Sequence, residues 1–411
     1  MSSENTGQHV KTRRAMYVPG YDPVHPRKYR ERYRRECAKQ AEISGYDIAM
    51  GPKQSDATFG WHVSAEINGH KTEAEIEVMY WADIVRASMG TGIAATYWQL
   101  LRTAWIYIGS GALFRLARLR KGPVIAALYP VLVLLGQLAL ALLAGWGFAY
   151  GVAYASAALI GIPLTVFGLV MAPFVIWGIL HWFKKRDHLL AYYLMHDYAF
   201  SARFKGAYPP AQEERMAAFA DRIAQALRED VDEVLVVGHS SGAYIAVSML
   251  ADLIRAGKLP SNGPKLALLS LGHVVPMVSF LPKAQRLRAD LAYLASCEAI
   301  TWVDVTAPGD GCSFALCDPV AVTGVAPAQK RWPLVISAAF SQSLKPETWE
   351  AMRWRLFELH FQYLNAFNAP RDYDYFQITA GPLSLATRYA TRAPSKSVIV
   401  TPVNRFRDIA A

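Results

Sequence analysis

VDEVLVVGHSSGAYIAVSML, residues 231–250, changes character twice within a short span. Val234-Leu235-Val236-Val237 is an unbroken aliphatic run, the pattern of a short strand buried on both faces. Ala243-Tyr244-Ile245-Ala246-Val247 and the residues after it suit a helix packed into a core. Between them lies Gly238-His239-Ser240-Ser241-Gly242, a G-x-S-x-G motif in a strand–turn–helix setting. The two glycines let the chain reverse sharply without crowding the serine. Ser240 is thereby expected at the top of a sheet and at a helix N-terminus, where the backbone dipole favours developing negative charge.

Outward from this motif, strands alternate with helices. A helix is expected from about Pro210 to Glu229, and strands at 265–272 and 299–307. Helices are expected near 284–296 and 346–366. Upstream, residues 13–20 read as a strand running into Pro19-Gly20. Residues 26–45 read as a basic helix. Residues 59–67 and 71–80 read as a hairpin around Asn68-Gly69, whose second arm enters the main sheet. This alternation predicts an α/β fold with a doubly wound, mostly parallel sheet.

The chain has 411 residues, of which 53% are hydrophobic and 18% charged, and a formal net charge of +10. From Gly122 to Phe183 there is no Asp, Glu, Lys or Arg. A bilayer span needs about 20 apolar residues, so two helices are expected, at about 124–145 and 154–181. The Gly- and aromatic-rich residues 145–151 are expected as the turn between them. Arg118, Arg120 and Lys121 precede this segment, and Lys184, Lys185 and Arg186 follow it. Basic flanks stay cytoplasmic, so both termini are expected on the cytoplasmic side of the inner membrane. Residues 92–121 are expected as an amphipathic surface helix. The expected organisation is thus a first part at 1–91, a membrane-associated insertion at 92–207, and a second part at 208–411. The polar N-terminus has no apolar core of a secretory signal.

Cys37, Cys297, Cys312 and Cys317 lack metal-site spacing, so neither zinc nor a disulfide framework is expected, and no cofactor is required. Arg27, Lys28, Arg30, Arg32, Arg34 and Arg35 suit a solvated or headgroup-facing surface; no nucleic-acid motif accompanies them. The adjacent pairs Asp187-His188 and His196-Asp197 are expected to be solvated or interfacial.

Taken with its flanking elements, Gly238-His239-Ser240-Ser241-Gly242 resembles the nucleophile elbow of the α/β-hydrolase superfamily, in particular its lipase-like members. The resemblance covers residues 13–83 and about 208–370, with the apolar hairpin as an insertion. It implies Ser240 as nucleophile, an oxyanion hole formed by the N–H of Ser241 and that of Tyr21 in Tyr17-Val18-Pro19-Gly20-Tyr21, and an acid and a histidine later in the chain. Asp310, just past the strand at 299–307, is the preferred acid, with Asp318 and Asp304 as alternatives. His360, in a His-x-x-Tyr-Leu setting, is preferred over His273. The activity implied is hydrolysis of a lipid or other acyl ester through a Ser-His-Asp triad at the bilayer. Acyl transfer on the same triad and a catalytically silent membrane adaptor are the alternatives. The oligomeric state is left open.

Overall fold

The computed structural model describes residues 9–89 and 92–410; the polar residues 1–8 lie outside it. The centre is an eight-stranded mixed sheet in the order β2-β3-β4-β1-β5-β6-β7-β8. The strands are β1 Thr12–Val18, β2 Asp47–Gly51, β3 Gly60–Ile67, β4 His70–Val78, β5 Glu233–His239, β6 Lys265–Leu271, β7 Thr301–Thr306 and β8 Leu334–Ser337. All neighbours from β4 through β8 pair in parallel, and β2-β3 and β3-β4 are antiparallel. The β3-β4 hairpin turns at Asn68 (φ 55°) and Gly69 (φ 75°), the positive-φ pair that tight hairpins favour.

Alternate residues of the central strands enter two different cores, as period-two geometry requires. Met16, Val18, Val234, Val236, Leu268 and Trp302 face one side. There they are covered by helices α8 (Pro210–Ala226), α9 (Gly242–Arg255) and Gln285–Ser296. Ala15, Tyr17, Leu235, Val237, Leu269 and Val305 face the other, where α1 (Arg27–Ser44) and the short helix Tyr375–Ala380 pack.

The sequence direction reverses at the β1-β5 pair. After β1 the chain builds the β2-β4 side. It then crosses back through a long connection to lay down β5 and the strands beyond it. In open α/β sheets, the crevice at the carboxyl ends of the strands flanking such a reversal is where ligands bind.

The long connection carries α2 (Ala82–Met89), α3 (Ile93–Gly109), α4 (Ala112–Leu119), α5 (Lys121–Ile160), α6 (Thr165–Arg186) and α7 (Ala191–Arg203). Both α5 and α6 are long and apolar enough to cross a membrane. The boundaries differ from the expected ones. Residues 145–151 are helical, and the turn is Gly161-Ile162-Pro163-Leu164, with Gly161 in the left-handed region at φ 72°. A glycine within a helix costs only about 1 kcal/mol, and here two glycines let the helices approach. A Cβ on Gly145 would lie 2.6 Å from Ile176 Cγ1, and one on Gly168 would lie 2.8 Å from the Ala149 carbonyl oxygen. Small residues at such crossings are what permit close helix packing in lipid.

At 1.5 Å per residue α5 is about 60 Å long, twice the roughly 30 Å apolar thickness of a bilayer. Its first half is instead docked on protein: Val124, Ala126 and Leu134 are buried, and the helix packs against α4 and α7. In the region expected as one amphipathic helix, α3 and α4 form separately. The outer side of α3 exposes Trp98, Leu101, Trp105 and Ile108.

The expected long helix near 346–366 is broken into Pro346–Met352, Leu356–His360 and a 3-10 turn at Gln362–Leu364. Leu359, Tyr363 and Leu364 are buried in the same core.

Gly168→Leu should wedge α5 from α6 and lower the melting temperature of the detergent-solubilised protein, at a cost of about 1–3 kcal/mol. Gly147→Leu, where a Cβ meets nothing within 4 Å, is the control and should melt like the wild type.

Candidate active site

Ser240 closes β5 and precedes α9 with φ 56°. A non-glycine residue in the left-handed region costs of order 1–3 kcal/mol, and such strain concentrates at functional sites. The turn is held by the Ser240 N–H, which donates to the Leu271 carbonyl at 2.9 Å. Gly238 and Gly242 are needed for packing. A Cβ on Gly238 would lie 2.7 Å from the Gly242 carbonyl oxygen, and one on Gly242 would collide with the Val18 carbonyl. The N-terminus of α9 thus sits directly on the end of β1.

The loop after β1 passes over the serine. A Cβ on Gly20 would lie 2.9 Å from Ser240 Cβ and 3.4 Å from Ser240 Oγ. The Trp81 indole N–H donates to the Pro19 carbonyl at 2.9 Å, and the Tyr193 hydroxyl to the Tyr21 carbonyl at 2.5 Å. The Tyr21 peptide is therefore fixed next to Ser240. Among the described residues, neither the Tyr21 N–H nor the Ser241 N–H has a backbone acceptor.

Asp310 lies on the loop after β7, and His360 ends the helix Leu356–His360. His360 Nδ1 donates to Asp310 Oδ2 at 2.9 Å. Asp310 also accepts from the Tyr363 hydroxyl at 3.1 Å and from the Cys312 N–H at 2.9 Å. Burial works to raise the Asp310 carboxyl, but the neighbouring His360 and these hydrogen bonds outweigh it and hold the group below the usual carboxylate range. Ser240, Ser241, Tyr21 and His360 line one cavity. The sequence-predicted residues are thus brought together.

The alternatives have other partners. Asp304 is inside β7 and fully buried, where it accepts from Ser270 Oγ at 2.5 Å and faces His273 Nε2 at 3.6 Å. His273 Nε2 donates to the Cys317 carbonyl at 3.0 Å. Asp318 caps the helix Pro319–Thr323 through the N–H groups of Val320 and Ala321, and pairs with Lys330 at 2.7 Å.

Three contributors escaped the sequence reading. His239, the variable residue of the G-x-S-x-G motif, is buried and donates from Nε2 to the His360 carbonyl at 2.9 Å. Burial, then the nearby His360, lowers its pKa to about 3, so the ring stays neutral while it fixes the His360 backbone. Tyr363 is fully buried, and its oxygen also accepts the Ala307 N–H at 2.9 Å. The third is Asp197 of α7, expected to be solvated or interfacial, which instead lines the cavity with Ser240 and His360. Burial pushes its carboxyl up to about 7 against the opposing influence of His360. Its sequence signal was a lone acid amid aromatic residues, Tyr192-Tyr193-Leu194-Met195-His196-Asp197-Tyr198. Of the other expected interfacial residues, Asp187 accepts from the N–H groups of Tyr192 and Tyr193, and His196 is buried against Gln99 at 2.9 Å.

Asp310, Cys312 and His360 bring one potential ligand atom each within 4.8 Å of one another. Their chemistry fits a metal poorly. Burial raises the Cys312 thiol, which a metal needs as thiolate, and the Asp310 oxygens are already engaged by His360, Tyr363 and Cys312. Comparisons of the chain with protein-family models, with curated proteins and with solved structures found no match.

Tyr363→Phe removes one donor from Asp310 and strands the buried Ala307 N–H. It should cost about 1–3 kcal/mol of stability, read as a lower midpoint in thermal unfolding; an unchanged midpoint would assign these bonds no structural weight.

Proposed function

We propose that this chain is a membrane-anchored serine hydrolase of the α/β-hydrolase type, cleaving a carboxylic ester of a lipid or other acyl substrate. The observation that carries the reading is the strained left-handed Ser240 at a strand–helix turn, opening onto the cavity that also holds an Asp310-bonded His360.

The chemistry follows from the donors and acceptors. The Nδ1–H of His360 donates a hydrogen bond to the Asp310 carboxylate, which leaves Nε2 as the basic nitrogen. Nε2 removes the proton from Ser240 Oγ as the oxygen attacks the ester carbonyl. Asp310 keeps the ring in that tautomer and stabilises the imidazolium that forms. The N–H groups of Ser241 and Tyr21 receive the oxyanion. His360 then protonates the departing alcohol. In the second half it deprotonates water, which attacks the acyl-enzyme and frees Ser240.

The membrane helices supply location. Basic residues flank the apolar segment at both ends, so an even number of spans keeps both flanks on the cytoplasmic side. The two parts of the sheet then lie on that side, and the site meets substrate at the inner face of the bilayer.

Ser240→Ala should abolish covalent labelling by a fluorophosphonate probe and hydrolysis of p-nitrophenyl esters in folded protein. Asp310→Asn should lower turnover by about 10⁴-fold, the scale known for the equivalent tautomer defect. His273→Ala, Asp304→Asn and Asp318→Asn should keep far more activity if they fold. Undiminished labelling of Ser240→Ala would overturn the reading.

The topology has its own check. The protein should resist alkaline carbonate extraction, and a reporter fused to the C-terminus should report the cytoplasm. Release by carbonate would exclude the spans, and a signal from the far side would exclude the orientation.

A further inference from the structure

The cavity over Ser240 has an unusual charge balance. Two carboxyls, Asp22 and Asp197, line it, and no lysine or arginine does. Arg32 is stacked over the Phe361 ring at 4.6 Å and is not part of the lining. Asp22 is satisfied within the chain: it accepts from the Tyr29 hydroxyl at 2.7 Å and from the Val24 N–H at 3.0 Å. Asp197 has no hydrogen bond or ion pair among the described residues. The half-buried Asp197 side chain lines the cavity without a partner from the chain, so a cation entering the cavity would meet an uncompensated acid.

The remaining walls identify the kind of partner. Tyr21, Tyr193, Tyr198 and Phe357 line the same cavity. The Tyr21 and Tyr193 rings lie 6.4 Å apart, and those of Tyr193 and Phe357 lie 6.1 Å apart. Aromatic faces around an acid attract ammonium groups, quaternary ones included. A phosphate or free carboxylate would meet two acids and no lysine or arginine.

We propose that this cavity selects esters that carry an ammonium group near the scissile carbonyl, with Asp197 as the counter-charge and the aromatic walls as its cage. The assignment rests on the serine-hydrolase reading for the placement of the carbonyl. It also removes an electrostatic conflict within that reading. An ionised Asp197 standing alone would oppose the negative charge that develops on the oxyanion, and a substrate cation between them offsets it. Burial raises the Asp197 carboxyl, and a cation held beside it would favour the ionised form.

The test separates recognition from chemistry. Ser240→Ala protein in neutral detergent is titrated calorimetrically with butyrylcholine and with its uncharged isostere 3,3-dimethylbutyl butyrate. Butyrylcholine should bind about tenfold more tightly, the scale of an ammonium held by aromatic faces and an acid. The double variant Ser240→Ala/Asp197→Asn, nearly isosteric, should lose that preference. Equal affinities, no binding of either ester, or a preference that survives Asp197→Asn in folded protein would each overturn the proposal. If the double variant does not fold, the preference of Ser240→Ala alone decides. Turnover of the same esters by wild-type protein is measured separately. A binding preference without any hydrolysis would sustain the cation site and count against the hydrolase reading. Hydrolysis of both esters with equal kcat/KM would do the reverse.

Discussion

The site depends on how closely α9 approaches the end of β1. Gly242 leaves no room for a side chain against the Val18 carbonyl, and Gly20 leaves none against Ser240. These contacts press the strand–helix turn under the loop that follows β1. Both elements belong to the strand pair at which the order of the sheet reverses. Any larger residue at Gly242 would separate the turn from the loop. Tyr21 and Ser241 would then no longer line one cavity with the serine. Backbone geometry at this one crossing sets how Ser240 lies against the loop after β1.

The second set of constraints comes from the later half of the chain. His239 holds the His360 backbone, His360 holds Asp310, and Asp310 is held by Tyr363, whose oxygen is tied to Ala307. This network joins the turn after β5 to the loop after β7 and to the segment around residue 360. Every member is buried or nearly so, so each bond is worth more than it would be in water, and each lost partner costs more. The strain at Ser240 persists because packing on the β1 side and hydrogen bonds on the β7 side both fix the same turn.

Much of this was legible in the sequence, for specific reasons. The strand–turn–helix at 231–250 is local, and its glycines announce a sharp reversal. Chain order and loop position pointed to Asp310 and His360. The hairpin at Asn68-Gly69 carries its own backbone preference. What escaped was set by distant packing. The glycines at 145–151 read as a turn, yet all three are helical and Gly145 serves helix contact, while the true turn is marked by Gly161 and Pro163. No Gly or Pro marks the breaks on either side of the helix Leu356–His360. The edge strands β2 and β8 are short and partly exposed, so their residues carry a weak pattern. Asp197 reaches the cavity only because α7, after the α5-α6 hairpin, returns to the cavity that Ser240 lines, and no local pattern encodes that return.

The β1-β5 pairing has a consequence for biosynthesis. Its members are far apart in the chain: the buried Arg13-Glu233 ion pair that locks their register joins residues 220 positions apart. As the polypeptide leaves the ribosome, β1 and β4 can pair early, but one edge of β1 stays open until residue 239 has emerged. An open parallel edge is a template for wrong partners, and contacts of such long sequence separation form slowly. The apolar α5 and α6 emerge within that same interval. The nascent chain therefore carries an unfinished sheet together with two helices long and apolar enough to cross a membrane, and the order of events during translation decides whether the edge meets its own β5 or another chain.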